Sequence, residues 1–484
     1  MNQTTPLLAK PRLERDDAQR HRPGIVHLGP GAFFRAFNAV YTAETLTETS
    51  GDWGIRAVSL RSATIRDKLA PQGYAYTSVS LTPEGTEHQL IGVINDVLVA
   101  TESPETVLTA MSSPDIHIVS LTITEKGYCH NPATGDLNLN DSTIAHDIKH
   151  PDTPRSAPGF LVYALAQRRA AGLRPFTILS CDNLPNNGEL TQRVVLSFAR
   201  AVDADLADWI AQEGRFPSTM VDRITPATTD EDIAKLAETA GYIDQGCVVH
   251  EPFRQWVIED DFVDGKRPNW NVAGAQFVSD VLAFETMKLR CLNGTHSTLA
   301  YLGYLAGYET IAETVADPIF ATLIDKIWMQ EIIPTVPQPE GEDLEAYCAA
   351  LKQRYLNPAI RHRTWQIAMD GSQKLPQRLL GTITDNLAAG RGISLLALAV
   401  AGWMRYVSGI DENDQPIDVR DPLTKQLQAA SENVDALLAI SAVFEPGLVA
   451  NTTFRNSVLA AYEALMKHGA RTASEKAIQG AGHV

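Results

Sequence analysis

Four short runs of β-favouring residues, at 25–28, 53–60, 116–123 and 176–181, alternate with helical patterns such as "PGFLVYALAQRRAA" at 158–171. The later two are unbroken apolar-rich segments, which suit a sheet buried on both faces. Strand and helix in alternation predict a Rossmann-like, doubly wound α/β domain. From about residue 284 the texture changes. Long helical patterns dominate, at 288–311, 317–333, 343–355, 372–390, 393–408, 423–441 and 453–468, with Pro and Gly between them. With 484 residues, too many for one core, the expectation is two domains. Residues 1–283 form the α/β dinucleotide-binding domain, and 284–484 a mostly α-helical substrate-binding and catalytic domain.

The formal charge is −17, from 41 Lys and Arg against 58 Asp and Glu. Such a field repels nucleic acid and anionic membrane, so neither is an expected partner. It also repels anionic small molecules, which then need a local basic pocket. The five cysteines, at 129, 181, 247, 291 and 348, form no Cys-x-x-Cys pair and suggest neither a disulfide framework nor a zinc knuckle. The first two dozen residues hold no apolar core of signal-peptide length, and no apolar run reaches membrane-spanning length. A reduced, cytoplasmic protein that acts on a small molecule, as a monomer or small homo-oligomer, is the expectation.

The segment "HLGPGAFFR" places Gly29 and Gly31 after a strand and before a helix. A turn this tight can lay its amides against a pyrophosphate, helped by the helix N-terminus. Phe34 stands where the third glycine of the usual fingerprint would be. Gly29, Gly31 and the adjoining Phe33 are the candidate cofactor contacts. The second strand is followed by "SLRSATIRDKL", where an NAD enzyme commonly carries an acid for the adenosine ribose. Arg61 and Ser62 stand there instead, so NAD is expected and NADP stays open.

"KLRCLNGTH" at 288–296 puts Lys288, Asn293 and His296 at the start of an apolar helical pattern. At a helical advance of 100° per residue they fall at roughly 0°, 140° and 80°, on one broad face. A second polar knot, "LSCDNLPNNGEL", closes the fourth strand with Asp182, Asn183, Asn186 and Asn187. Ligands sit beyond the carboxyl ends of such strands, although Asn-rich turns also form for structural reasons. His146 and His150 in "AHDIKH" have a metal-like spacing but lack the Glu of a His-Glu-x-x-His site. They read as a surface helix, and no metal is expected.

Lys-x4-Asn-x2-His, together with "GPGAFFRAF", "IVSLTITEKGYC", "FTILSCDNLPNNG", "MVDRITP", "EPFRQWVIEDDFVDG" and "DGSQKLP", resembles the polyol-specific long-chain dehydrogenases, the mannitol dehydrogenase family. The resemblance runs over nearly the whole chain. "IRHRTWQIAMDGSQKLPQRLL" and "AGWMRY" are most similar to members that interconvert D-mannonate and D-fructuronate. The resemblance implies NAD(P)-dependent, metal-independent hydride transfer at a secondary alcohol. The alternative substrate is a neutral polyol, as for mannitol or arabinitol dehydrogenases. It further implies Lys288 as general acid/base, Asn183 and Asn293 as holders of the reacting oxygen, and His296 as a substrate hydroxyl contact. Glu285 matches a carboxylate that relays protons to water, and Asp222 and Lys374 match substrate-pocket positions. Three departures stand out: Phe34 and Phe37 replace histidines, Ala63-Thr64 replaces an acidic pair, and Gln366 replaces an Arg.

The chemistry fits these residue types. Hydride addition to a ketone creates an alkoxide, and each amide donor aimed at it contributes about 3 kcal/mol. A lysine, ordinarily titrating at about 10.4, needs burial on an apolar helix to serve as acid–base at neutral pH. A sugar-acid carboxylate calls for an arginine fork. The cluster at Arg361 and Arg363 is the first expectation, with Arg378 as the other candidate.

Overall fold

The structure is a computed structural model that describes residues 10–15, 20–131 and 134–481. The first nine residues, on which the reading of an N-terminal leader chiefly bears, lie outside these. The chain divides into two compact units, one ending at Leu282 and the other beginning at Ala283.

The first unit is built on a five-stranded parallel sheet: β1 (Pro23–Leu28), β2 (Gly54–Ser59), β3 (Ile94–Val99), β4 (Ile118–Leu121) and β5 (Thr177–Ser180). Its order is β3-β2-β1-β4-β5. Every residue of β4 and β5 is buried, as the unbroken apolar runs require. The strand order reverses between β1 and β4, and at such a switch point a crevice opens at the carboxyl ends of the strands. The helix Ala157–Ala170 joins β4 to β5, capped by Ser156, whose hydroxyl accepts from Gly159 N.

Sequence patterns missed several strands. Tyr76–Thr82 and Gly85–Ile91 form an antiparallel hairpin, and Val248–His250 lies parallel to the first of them. Thr219–Asp222, Gln255–Glu259 and Gln276–Val278 form a third sheet. The hairpin's outer strand, "GTEHQLI", is largely exposed and carries little apolar signal; Val248–His250 and the three strands of the third sheet are too short for a period to emerge.

The second unit is helical. Ser394–Tyr406 is buried along nearly its whole length and packs against Thr295–Leu305 and Thr452–Gly480. Asn451 caps the last of these through Phe454 N, and Thr310 and Glu313 form a reciprocal capping box. The largest correction concerns the expected helix at 288–311. The helix begins earlier, at Leu282, and ends at Leu305, before Gly307 with its φ of 88°. Residues Lys288–Gly294 within it are a π-helical segment. Lys288 therefore stands well inside a continuous helix rather than at its N-terminus, and the dipole of a free helix end does not act on it. No described helix is long and apolar enough to cross a membrane.

Candidate active site

At the switch point, Gly29 has φ +94°, and a Cβ there would stand 2.2 Å from the Thr122 carbonyl oxygen. Only glycine suits this turn. Beneath it lies a buried polar chain. Thr122 Oγ1 donates to Gly29 O (2.7 Å), His27 Nε2 donates to Thr122 Oγ1 (2.9 Å), and His27 Nδ1 accepts from Ser120 Oγ (2.8 Å). Burial pushes His27 down to about 3, so the ring is neutral and the chain keeps one direction. Phe34 stacks on His27 at 3.6 Å between centroids. The residue in the third-glycine position thus belongs to the core and not to the loop's open side. Gly31 is exposed, and a Cβ there would come no closer than 3.9 Å to any other part of the chain. The loop's outer side accordingly has the open backbone that a pyrophosphate needs. Phe33 is half-buried against Phe37 (4.9 Å). Arg61 and Ser62 are exposed beyond β2, while Arg66 pairs with Asp67 and Glu102.

The polar knot after β5 separates into two roles. Asp182 is buried and accepts from Ile123 N (2.9 Å), Thr124 N (2.8 Å) and Tyr128 Oη (2.7 Å). Asn187 donates to Asp182 O (2.9 Å) and Thr219 O (2.8 Å). These two side chains tie the strand ends together. Asn183 is exposed, and Asn186 sits at φ 47° ahead of the helix Asn187–Val202. Asp222 is buried at the end of its strand, opposite Gln255.

In the helical unit the π-segment rearranges the predicted face. An i→i+5 turn holds more residues than the roughly 3.6 of an α-helix, so the angle between Lys288 and Asn293 is smaller than α-helical spacing predicts. His296 follows one turn on and Glu285 precedes Lys288 by one turn. Lys288 and His296 are buried; Asn293 and Glu285 are half-buried. His296 stacks on Tyr355 (5.4 Å) and meets the edge of His362 (4.6 Å, 62°). Burial, then the fields of His362, Arg378, Arg354 and Lys374, hold His296 well below the usual imidazole range.

A second π-helical segment, Pro376–Leu380, packs on the first. Their approach depends on Gly294, where a Cβ would come within 2.8 Å of Arg378 O. Gly294→Ala is expected to cost about 1–3 kcal/mol of stability, the usual penalty for overpacking. It should also lower kcat/KM at least tenfold by parting Arg378 from His296. Thermal melting and steady-state kinetics check both.

Arg378 is half-buried and donates from Nη1 to Ser297 Oγ (3.0 Å), with no carboxylate in ion-pair range among the described residues. Lys374, a little earlier, donates to the carbonyls of Met369 and Ile367, and burial, then Arg378, lowers it to about 8. Arg361 and Arg363 lie elsewhere. Their side chains are 72% and 53% exposed and stand 3.9 and 3.6 Å from Glu309. Glu285, Lys288, Asn293 and His296 thus follow one another along one helix, Arg378 stands on the π-segment packed against it, and the other two arginines lie on the surface. Sequence reasoning missed His362 and Tyr355. His362 lies between Arg361 and Arg363, and its packing against His296 is a tertiary contact that the sequence does not show. His146 meets His150 at a tilt (4.5 Å between centroids, 33°) and approaches Asp147 (3.0 Å). Among the described residues, no three His, Cys, Asp or Glu side chains are placed to hold a metal ion.

Residues 23–272 match the mannitol dehydrogenase Rossmann domain family, and residues 280–466 match the mannitol dehydrogenase C-terminal domain family. The chain is 49% identical to D-mannonate oxidoreductase of Escherichia coli (strain K12), over 94% of this chain and 96% of that protein. It is 42% identical to mannitol 2-dehydrogenase of Pyrenophora tritici-repentis, over 95% and 82%. Among solved structures it resembles Pseudomonas fluorescens mannitol 2-dehydrogenase in ternary complex with NAD and D-mannitol. That match has a TM-score of 0.84 and 38% identity and covers 97% of each chain. The chain belongs to the mannitol dehydrogenase family of oxidoreductases.

Proposed function

We propose that this protein is an NAD-dependent, metal-independent secondary-alcohol dehydrogenase that interconverts D-fructuronate and D-mannonate. The glycine loop at Gly29 and Gly31, with Phe33, Arg61 and Ser62, holds the dinucleotide, which supplies or accepts the hydride when bound. Lys288 trades a proton with the substrate oxygen, Asn183 and Asn293 donate hydrogen bonds to that oxygen, and His296 contacts a substrate hydroxyl. Glu285, one helical turn from Lys288, passes the proton toward water. Asp222 and Lys374 complete the substrate pocket.

The observation that carries the sugar-acid reading is Arg378. A guanidinium drawn out of water costs free energy unless an anion or several acceptors meet it. One serine hydroxyl does not suffice. A substrate carboxylate, gripped bidentately, completes the site. Arg361 and Arg363, exposed and facing Glu309, are weaker candidates for that task. The relative named a D-mannonate oxidoreductase supports the same reading. The mannitol 2-dehydrogenases among the relatives keep a neutral polyol as the second reading.

Reduction assays with fructuronate and fructose, each with NADH and NADPH, separate these. Fructuronate with NADH is expected to give a kcat/KM at least 100-fold above fructose. Equal or better turnover of fructose removes the sugar-acid assignment. A preference for NADPH points to Arg61 as a 2′-phosphate ligand.

A further inference from the structure

His296 and His362 face each other edge to ring, with centroids 4.6 Å apart. Each has one ring nitrogen shut away from solvent without a hydrogen-bond partner: Nε2 of His296 and Nδ1 of His362. Burial, then Arg354, holds His362 at about 4, and His296 is held low as well. Both rings are therefore neutral at physiological pH and keep donor and acceptor positions distinct. Buried polar atoms in folded proteins nearly always have partners, so two orphaned nitrogens on touching rings call for a common explanation.

The backbone pins His362 in place. Its N–H donates to Ile360 O (2.7 Å), and its carbonyl accepts from Ile311 N (3.0 Å). The His296 ring is fixed from its other side by Tyr355, whose hydroxyl donates to Leu292 O (2.8 Å). These contacts engage the His362 backbone and the face of the His296 ring, and leave both orphaned nitrogens without a partner. Arg378, which the preceding reading assigns to the substrate carboxylate, is close enough to His296 to depress its titration.

We infer that His362 is a specificity-determining residue that hydrogen-bonds a second substrate hydroxyl, on the carbon next to the one His296 reads. This rests on the active-site reading above, though not on the substrate being an acid. Two neutral imidazoles side by side recognise the relative configuration of two adjacent hydroxyls. An epimer at either carbon leaves one nitrogen buried and unpaired, and such loss is what makes hydrogen-bonding pockets selective.

The test uses the full-length enzyme with His362→Phe, which keeps an aromatic ring, and His362→Asn, which keeps a polar group. Substrates are a pair of linear sugar acids and a pair of neutral polyols, each pair epimeric at one hydroxyl. His362→Phe is expected to lower kcat/KM for the preferred epimer about tenfold or more, mainly through KM, and to narrow the epimer ratio by a similar factor. NADH affinity and the pH profile should stay at their wild-type values, and His362→Asn should recover part of the loss. An epimer ratio unchanged within twofold, in a variant that melts and binds NADH like the wild type, overturns the inference. If His362→Phe does not fold, a substrate lacking the hydroxyl decides the matter. Wild type and His362→Asn should then turn it over equally well, and a further loss in the variant counts against the role. Should only the polyols be turned over, the sugar-acid assignment fails while the epimer ratio on polyols still tests His362.

Discussion

Lys288→Met is expected to lower kcat about 1000-fold in both directions, the middle of the range for removing a positioned acid–base group. Methionine keeps an unbranched apolar stem of similar reach, so the buried site on the π-segment stays filled. NADH binding, followed by fluorescence titration, should be unchanged. Small primary amines added to the variant should restore part of the activity, with a dependence that follows the amine's own pKa. A variant retaining more than a tenth of wild-type turnover from pH 6 to 10 would show that proton transfer runs through another group. The loss should exceed that of Asn293→Ala, since one amide donor is worth only about 3 kcal/mol of oxyanion stabilisation.

Arg378→Met carries the other large expected effect, and it is selective. Hydrogen bonds to a charged group contribute about 1.5–3 kcal/mol, so kcat/KM for fructuronate should fall roughly 10- to 150-fold, most of it in KM. Fructose, with no carboxylate to lose, should change by less than about threefold. Arg361→Ala and Arg363→Ala serve as controls. Both side chains lie in solvent beside Glu309, so either change should leave the fructuronate-to-fructose ratio alone. If instead the surface arginines shift the ratio and Arg378 does not, the carboxylate is bound at the rim.

Much of the fold was open to reading because its causes are local. The runs that became β1, β2, β4 and β5 carry their own β-propensity and apolar content, and burial on two faces needs no knowledge of partners. The turn at Gly29 is likewise local, since its φ of 94° excludes most other residues. "KLRCLNGTH" stands out by Lys288, Asn293 and His296 on an apolar helical pattern, and the roles proposed for them come from the resemblance to the family.

What stayed hidden depends on contacts between segments distant in sequence. The sequence by itself determined that a parallel α/β sheet precedes a helical unit, that glycines form the turn after β1, and that Lys288, Asn293 and His296 share a helix. Only the tertiary structure decided that this helix widens into a π-segment and that a second π-segment packs on it so closely that a Cβ on residue 294 would come within 2.8 Å of Arg378 O. It also decided that Asp182 and Asn187 are structural ties rather than ligands, since their partners Ile123, Tyr128 and Thr219 come from other strands and loops. The proposal that favours Arg378 over Arg361 and Arg363 rests on information of the same kind. Exposure and charge compensation are properties of the folded surroundings, and side chains alike in sequence part company only when the chain has packed around them.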